Sequence, residues 1–458
     1  MAGFQIKLAV ICAKTVNLII RKLFRRNGSV FPGYIARLIF PDILPHMAGM
    51  VRGGIIAVTG TNGKTTVNSL IYHILKFEGK TAVINGNGAN MLNGVISAFV
   101  LAADNTGALS TDYACIEVDE FAAAQIFPLL RPDCVLLTNI FRDQMDRYGE
   151  MDSVCGKIRL ALSMVPKTRL TVNCDDFLSF TLARQWGGMT ATYGINEKVF
   201  DLFSSPEAVE STFCYFCGEK LEFTLSHYGQ LGVYSCPSCG FRRPEPDDTA
   251  SDVRLKDGRY LFKVDGISVI SRADEPYNIY NTLAAYAALK SIGAPVHDFQ
   301  KAVEAFEYGN RREEIFRING ARVRLCLAKN PVGLQQKISL MAGDNAPKDI
   351  VFQINDRAQD GRDVSWLWDV NFGYLKKSGA AAVFTTGTRR FDIALRMKYE
   401  DISNRPVRNL RKLLMHLSMN GTGNIYVIVN YSGLYVANRM LHKLQKKGNA
   451  RKGQFKKK

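Results

Sequence analysis

Residues 58–66, Val-Thr-Gly-Thr-Asn-Gly-Lys-Thr-Thr, constrain this chain more than any other stretch. The apolar run Ile55–Val58 enters the segment, and a helix-like stretch from Thr65 to Phe77 leaves it. The order is therefore strand, glycine-flanked loop, helix. Backbone N–H groups of such a loop, with the helix N-terminus behind them, cradle a phosphate. In that reading Gly60, Thr61, Asn62, Gly63, Lys64, Thr65 and Thr66 bind the nucleotide. Lys64 reaches its terminal phosphates, and the Thr65 hydroxyl faces a Mg²⁺ ion. The general phosphate-loop pattern wants glycine five positions before Gly63, where Val58 stands, so this loop is a variant.

A length of 458 residues suggests two or three domains, and 47% hydrophobic residues suffice for their cores. No unbroken apolar run reaches the ~18 residues of a membrane span. The N-terminus is basic and amphipathic, and its apolar stretch Leu8–Ala13 is short for a signal-peptide core. The expected location is the cytoplasm, with contact at the inner membrane face left open. The formal charge is 59 − 42 = +17. Between Lys443 and Lys458 stand eight lysines or arginines and no acid, a tail expected to be disordered. Such a tail suits nucleic acid, anionic lipid head groups, an anionic lipid-linked substrate, or mere solubility.

Four of the ten cysteines form a pattern: Cys214-x-x-Cys217 and Cys236-x-x-Cys239, with 18 residues between. Two such knuckles are a zinc-ribbon signature, in which four thiolates surround Zn²⁺ and leave no open position. The site is expected to be structural. A pair of disulfides is the alternative, disfavoured in a reducing compartment.

From residue 51 to about 310, strand and helix signals alternate, which argues for a parallel sheet covered by helices. The strand candidates are Gly54–Thr59, Thr81–Asn85, Tyr113–Val118, Cys134–Asn139 and Arg169–Asn173. Residues 1–50 read as a helical lead-in ending in a loop with Pro41 and Pro45. The ribbon, at about 205–250, reads as an insertion. A second alternating region begins near Glu313, with strand candidates Val323–Leu327, Asp349–Ile354, Ala381–Thr385 and Ile425–Val429. Helices are expected at Ile279–Ile292, Val332–Met341, Val364–Asp369 and Val407–Leu417. The domains are expected at 1–50, 51–312, 313–442 and 443–458.

Further segments resemble the Mur ligase family in the right order. The variant loop Gly60-Thr61-Asn62-Gly63-Lys64-Thr65-Thr66 is of that kind. The strand ending Ile116-Glu117-Val118-Asp119-Glu120 matches the place of a Mg²⁺-binding glutamate; Glu117 is the matching position and Glu120 the runner-up. Leu137-Thr138-Asn139-Ile140 is followed by Asp143-Gln144-Met145-Asp146, with Gln144 where relatives carry a metal-binding histidine. Lys157 lies near, but one position off, the family's carbamylated lysine. In Tyr277-Asn278-Ile279-Tyr280-Asn281 the resemblance assigns Asn281 to the nucleotide and Asn278 to a helix cap. In Gly309-Asn310-Arg311-Arg312-Glu313 it assigns Arg311 to the phosphates. The run Asn355-Asp356 through Asp360-Gly361-Arg362-Asp363-Val364-Ser365-Trp366-Leu367-Trp368-Asp369 is similar to the lipid II isoglutaminyl synthase branch of that family.

The resemblance implies an α/β fold: a Mur ligase-like, doubly wound central domain with a parallel-rich sheet and zinc-ribbon insertion, plus a C-terminal α/β domain. It implies ATP, Mg²⁺ and structural Zn²⁺ as cofactors. The implied reaction amidates the α-carboxylate of D-glutamate in the lipid II stem peptide through an acyl phosphate. It implies a separate GatD-like glutaminase subunit as ammonia source. Lys64, Glu117 and Asp363 are the residues given to catalysis, with Asp363 facing the glutaminase and Asp360 and Asp356 as alternatives. A helix cap before Val364 is the plainer reading of Asp363. An amino-acid ligase of the Mur or folate kind, and a nucleotide-regulated nucleic-acid-binding protein, are the competing functions. No specific nucleic-acid partner is expected, since only Lys220 supplies positive charge between the knuckles.

Overall fold

Strand β1 (Val51–Thr59) is an interior strand of the first of two compact units in this computed structural model. The structure describes residues 2–24, 30–86, 88–141, 151–199, 213–256, 259–271, 277–308, 313–357 and 360–455. The chain divides between Tyr308 and Gly309.

Three helices precede β1: α1 (Ala2–Phe24), α2 (Phe31–Ile39) and α3 (Ile43–Ala48). Pro45 stands in the first turn of α3, where a missing N–H costs nothing, rather than in a loop. Ile6, Ala9, Val10 and Ala13 of α1 join the same apolar core as Ile55 and Ala57 of β1. The lead-in therefore packs with the sheet. Its α1 also corrects the membrane expectation. The window Gly3–Lys22 has a mean hydropathy of 1.5 and is long and apolar enough to cross a membrane by length and composition, with 22% of it buried. Lys7 and Lys14 break the run but do not lower the average enough to exclude it.

After β1 come α4 (Lys64–Phe77), β2 (Ala82–Ile84), α5 (Leu92–Ala102), β3 (Thr111–Glu117), α6 (Ala123–Leu130) and β4 (Cys134–Leu137). Then follow α7 (Met151–Ser163), β5 (Arg169–Asn173), α8 (Phe177–Trp186) and β6 (Thr190–Ile195). The insertion carries the hairpin β7 (Glu222–Ser226) and β8 (Gly232–Ser235). The main sheet resumes with β9 (Asp248–Lys256), β10 (Arg259–Val264) and β11 (Ile267–Ser271), and α9 (Tyr277–Ser291) and α10 (Phe299–Ala305) close the unit.

The nine-stranded order is β11-β10-β9-β6-β5-β4-β1-β3-β2. Strands β1 to β6 and β9 run parallel, whereas β9, β10 and β11 form an antiparallel edge. This edge lay outside the sequence expectation. Strand β9 is largely solvent-facing from Ser251 onward, so no apolar period marks it. The ribbon is inserted between β6 and β9, which pair directly. Strand β1 lies between β3 and β4, so the connections after it and after β4 part on opposite sides. A crevice at the carboxyl ends of the strands follows from that reversal, and ligands bind in such crevices.

The second unit holds β12 (Glu313–Ile318), β13 (Ala321–Leu327), α11 (Pro331–Gly343), β14 (Lys348–Gln353), β15 (Ala380–Thr386), α12 (Arg390–Tyr399), β16 (Arg405–Pro406), α13 (Leu410–Asn420), β17 (Asn424–Val429) and α14 (Tyr431–Phe455). Its sheet order is β12-β13-β17-β14-β15-β16, antiparallel only between β12 and β13. Helix α13 starts at Leu410 rather than Val407, because the Asn409 side chain accepts from Lys412 N–H and caps it. Val364–Asp369 is a 3₁₀ turn over Ser365–Asp369. The basic segment from Lys443, expected to be disordered, continues α14 to Phe455. Lysine, arginine and glutamine are good helix formers, and the packed first turns supply the nucleus.

Candidate active site and metal centre

Gly60 and Gly63 adopt φ values of +117° and +88°, which only glycine holds without strain. Space is equally tight. A Cβ on Gly60 would lie 2.4 Å from Thr138 Oγ1, and one on Gly63 would lie 2.5 Å from Asn281 Oδ1. The loop is thus pressed between the residue after β4 and the second turn of α9.

Hydrogen bonds fix it there. Thr61 N–H donates to Asn139 O at 2.8 Å, and Asn62 N–H donates to Asn139 Oδ1 at 2.9 Å. Thr138 Oγ1 donates to Asn62 O at 2.8 Å. Phe141 N–H donates to Thr61 Oγ1 at 2.9 Å, and Thr61 Oγ1 returns a bond to Phe141 O at 3.1 Å. Thr138, Asn139 and Phe141 therefore act as a clamp on the loop, a role the sequence motif alone did not specify.

Lys64 opens α4, and its ammonium sits 2.8 Å from Glu120 Oε1, with Gly60 O as a second partner. Burial disfavours the Lys64 charge, but Glu120, aided by Glu117 and Asp119, more than offsets it and raises its pKa above the ordinary lysine value. Burial pushes the Glu120 carboxyl up, against the pull of Lys64. Glu117, at the end of β3, is also buried, and its Oε1 accepts from Asn90 Nδ2 at 3.1 Å. So Lys64, Glu117, Glu120 and the first turn of α4 with Thr65 and Thr66 share one end of the sheet. Glu120, the runner-up in sequence, is the carboxylate that touches Lys64. Carboxylates and a hydroxyl beside a phosphate loop are the hard oxygen donors that Mg²⁺ takes.

Asn281 borders Gly63 and donates through Nδ2 to Asn278 Oδ1 at 2.8 Å. Asn278 is inside α9 and orients Asn281, in place of the expected cap. Lys157 lies on α7 and is exposed. Arg311 and Gln144 fall outside the described residues.

In the second unit Asp363 is half-buried and accepts from Ser365 N–H and Ser365 Oγ, both at 2.8 Å. These bonds close a local turn just before the 3₁₀ segment, whose N-cap position is Val364 rather than Asp363, and Asp363 also lines an open cavity of about 310 Å³ with Arg362, Trp368, Arg389 and Asp392. Asp356 is tied to Thr388 Oγ1 at 2.7 Å and Arg389 Nε at 2.9 Å. Asp360 is buried and accepts from Ser432 N–H at 2.8 Å.

The four ribbon cysteines bring their sulfurs within 4.8 Å of one another. The sulfurs of Cys214 and Cys239 are 3.5 Å apart, and those of Cys217 and Cys236 are 3.4 Å apart. That is far beyond the ~2.05 Å of a disulfide and close to the spacing of thiolates held ~2.3 Å from one ion. Gly218 and Gly240 each follow the second cysteine of a knuckle with positive φ, closing two matching turns. The Cys236 thiol is lowered to about 7, chiefly because the Cys239 N–H donates to it. The donor set fits zinc.

Three buried side chains of the insertion reach back into the sheet unit. Arg243 Nε pairs with Asp175 at 2.6 Å, His227 Nε2 approaches Ile195 O at 3.2 Å, and Gln230 Nε2 donates to Ile140 O at 2.8 Å. Tyr280 of α9 donates to the same Asp175 at 2.5 Å. Nothing in the spacing of these residues marks them in sequence.

Sheet order, loop and carboxylates together define the Mur ligase class, whose members form carbon–nitrogen bonds. The Mur ligase middle domain matches residues 58–235, and the MurT ligase C-terminal domain matches residues 327–434. The lipid II isoglutaminyl synthase (glutamine-hydrolyzing) subunit MurT of Staphylococcus aureus is 33% identical over 386 residues, 82% of this chain and 84% of the relative. Its namesake in Streptococcus pneumoniae is 30% identical over 440 residues, covering 93% and 95%. Among solved structures, a pseudomurein peptide ligase type C from Methanothermus fervidus aligns with a TM-score of 0.68 at 19% identity, over 86% of this chain and 79% of that one. MurF from Acinetobacter baumannii aligns at 0.65 and 14% identity, over 90% and 81%. The chain belongs to the MurT family of Mur ligases.

Proposed function

We propose that this chain is the ligase subunit of a lipid II isoglutaminyl synthase. It uses ATP to phosphorylate the α-carboxylate of D-glutamate in the stem peptide, and ammonia displaces phosphate to leave D-isoglutamine. The observation that carries this reading is the match to MurT subunits along almost the whole chain, including the C-terminal domain that sets them apart.

A carboxylate resists ammonia because it is anionic and lacks a leaving group. Transfer of a phosphoryl group supplies the leaving group, and the protein's part is positioning and charge neutralisation. The loop N–H groups from Gly60 to Thr65 would hold the phosphates. Lys64 would exchange Glu120 for the terminal phosphates, and Arg311 would add a second positive charge. Mg²⁺, held by Thr65 with Glu117 or Glu120, would supply further neutralisation. Asn281, fixed by Asn278, would meet the nucleotide. Zinc on the four cysteines would hold the ribbon. A separate glutaminase of the GatD kind would supply ammonia, with Asp363 turned toward its active site, and the enzyme would work in the cytoplasm.

The test is ATP hydrolysis by the purified chain with lipid II and ammonia. Stimulation by that pair supports the reading. Stimulation by an amino acid, or by RNA, would replace it with one of the two competing functions.

A further inference from the structure

Helices α1 and α2 each bury one face and leave a row of large apolar residues exposed on the other. Ile6, Ala9, Val10 and Ala13 of α1 are buried, as are Pro32, Gly33 and Ala36 of α2. Both helices pack on each other and on α5. Gly33 fits so closely that a Cβ would lie 2.0 Å from Asn93 O. On the opposite face of α1 stand Phe4, Leu8, Ile11, Leu18 and Ile19, all exposed, with Phe4 73% exposed. The series from Phe4 through Leu8 and Ile11 to Leu18 keeps the spacing of one helical stripe. On α2, Phe31, Tyr34 and Leu38 repeat the pattern, and Leu38 is 62% exposed. An exposed apolar stripe of this extent marks an interaction surface.

Charge decides what the surface meets. The first 41 residues carry Lys7, Lys14, Arg21, Lys22, Arg25, Arg26 and Arg37, and no acid precedes Asp42. Lys7, Arg21 and Lys22 are exposed on α1 itself. A stripe of aromatic and aliphatic side chains in an all-basic segment complements the head groups and acyl boundary of an anionic bilayer.

We propose that the outward faces of α1 and α2 dock this protein on an anionic lipid surface. The helices lie on that surface and do not span it. Spanning would pull the buried face of α1, four residues of the sheet unit's core, out of its packing. The outward stripe can enter the interface with the fold intact. Docking does not depend on the reaction proposed above, though with that reading it would hold the site near a lipid-linked substrate.

Vesicle co-sedimentation of the full-length chain tests this. Vesicles rich in phosphatidylglycerol should bind it, and phosphatidylcholine vesicles should bind it at least tenfold more weakly. Phe4→Ser, Leu18→Ser, Phe31→Ser and Leu38→Ser combined should lower binding more than tenfold at an unchanged melting temperature. Each of Lys7→Glu and Arg21→Glu should lower it about fivefold or more, since a basic residue near such a surface contributes about that factor. Phe391→Ser, at an exposed apolar position of the second unit, should have no effect. Equal binding to both vesicles, or binding unchanged by the serine variants, would overturn the proposal. So would serine variants that instead dissolve a dimer or release a protein partner, because the face would then be a protein interface.

Discussion

Gln230, carried by the cysteine-rich insertion, donates its side-chain amide to Ile140 O at 2.8 Å, and Ile140 adjoins the Phe141 backbone that grips Thr61. The same amide bonds Asp176 Oδ1, whose other oxygen accepts Ile140 N–H at 2.8 Å. The cysteine-rich insertion is therefore one residue removed from the clamp on the phosphate loop. Gln230→Ala should weaken nucleotide binding several-fold and cost about 1–3 kcal/mol of stability, because buried Asp176 loses a donor. Titration calorimetry with ATP and thermal melts would check both, and unchanged affinity would break the link.

The cysteine cluster should hold one Zn²⁺ per chain and support the fold. Cys214→Ser or Cys239→Ser should release it and lower the melting temperature, with activity falling in step with folded protein. Metal analysis beside calorimetric melting decides this. A folded, stable variant without turnover would indicate a metal in the chemistry instead.

Lys64→Ala should abolish turnover and weaken ATP binding at least tenfold while the circular dichroism spectrum stays unchanged. Burial already pushes the Glu120 carboxyl up, and losing the lysine pushes it further, toward protonation rather than toward a stranded charge. Glu117→Ala should behave alike, with only partial rescue by excess Mg²⁺.

Asp363→Ala should disable glutamine as nitrogen donor and leave free ammonia effective, measured in one preparation with the glutaminase present. Losing only its bonds to Ser365 would cost ~1 kcal/mol and would affect both donors equally. Inactivity with ammonia would move Asp363 into the ligase step.

His227 gives a pH dependence. Burial lowers its pKa below the ordinary histidine value, against the pull of Asp175. The unfolded chain therefore takes up a proton near pH 6.5 while the folded chain does not, so stability falls as pH drops below that point. His227→Gln should flatten the decline in melting temperature between pH 7 and 5.5. An equal decline in the variant would assign it to other groups.

The loop, the parallel strands and the cysteine knuckles were legible because each has a local rule: glycines at positive φ, short apolar runs, fixed ligand spacing. Strand Arg169–Asn173 stands at the residues expected of it. The antiparallel edge β9–β11 was not legible, because β9 is mostly polar and its strands follow a cysteine-rich insertion. The Lys64–Glu120 contact was half legible: the motif offered two glutamates, and only the turn after β3 decides which one touches the lysine. Gln230, Arg243 and Asp175 were invisible, since burial and pairing across 54 to 68 positions leave no periodic trace. The basic, amphipathic character of α1 was legible, but which face turns outward was not, because only the packing of Ile6, Ala9, Val10 and Ala13 into the core decides it.

Isotope tracing tests the central claim most directly. Lipid II bearing ¹⁸O in the D-glutamate α-carboxylate would be amidated with ATP and ammonia, and the released phosphate analysed by mass spectrometry. If the carboxylate is phosphorylated before ammonia attacks, each turnover transfers one labelled oxygen to phosphate and leaves the other in the amide. Phosphate free of label, with carboxamide formed, would contradict the account.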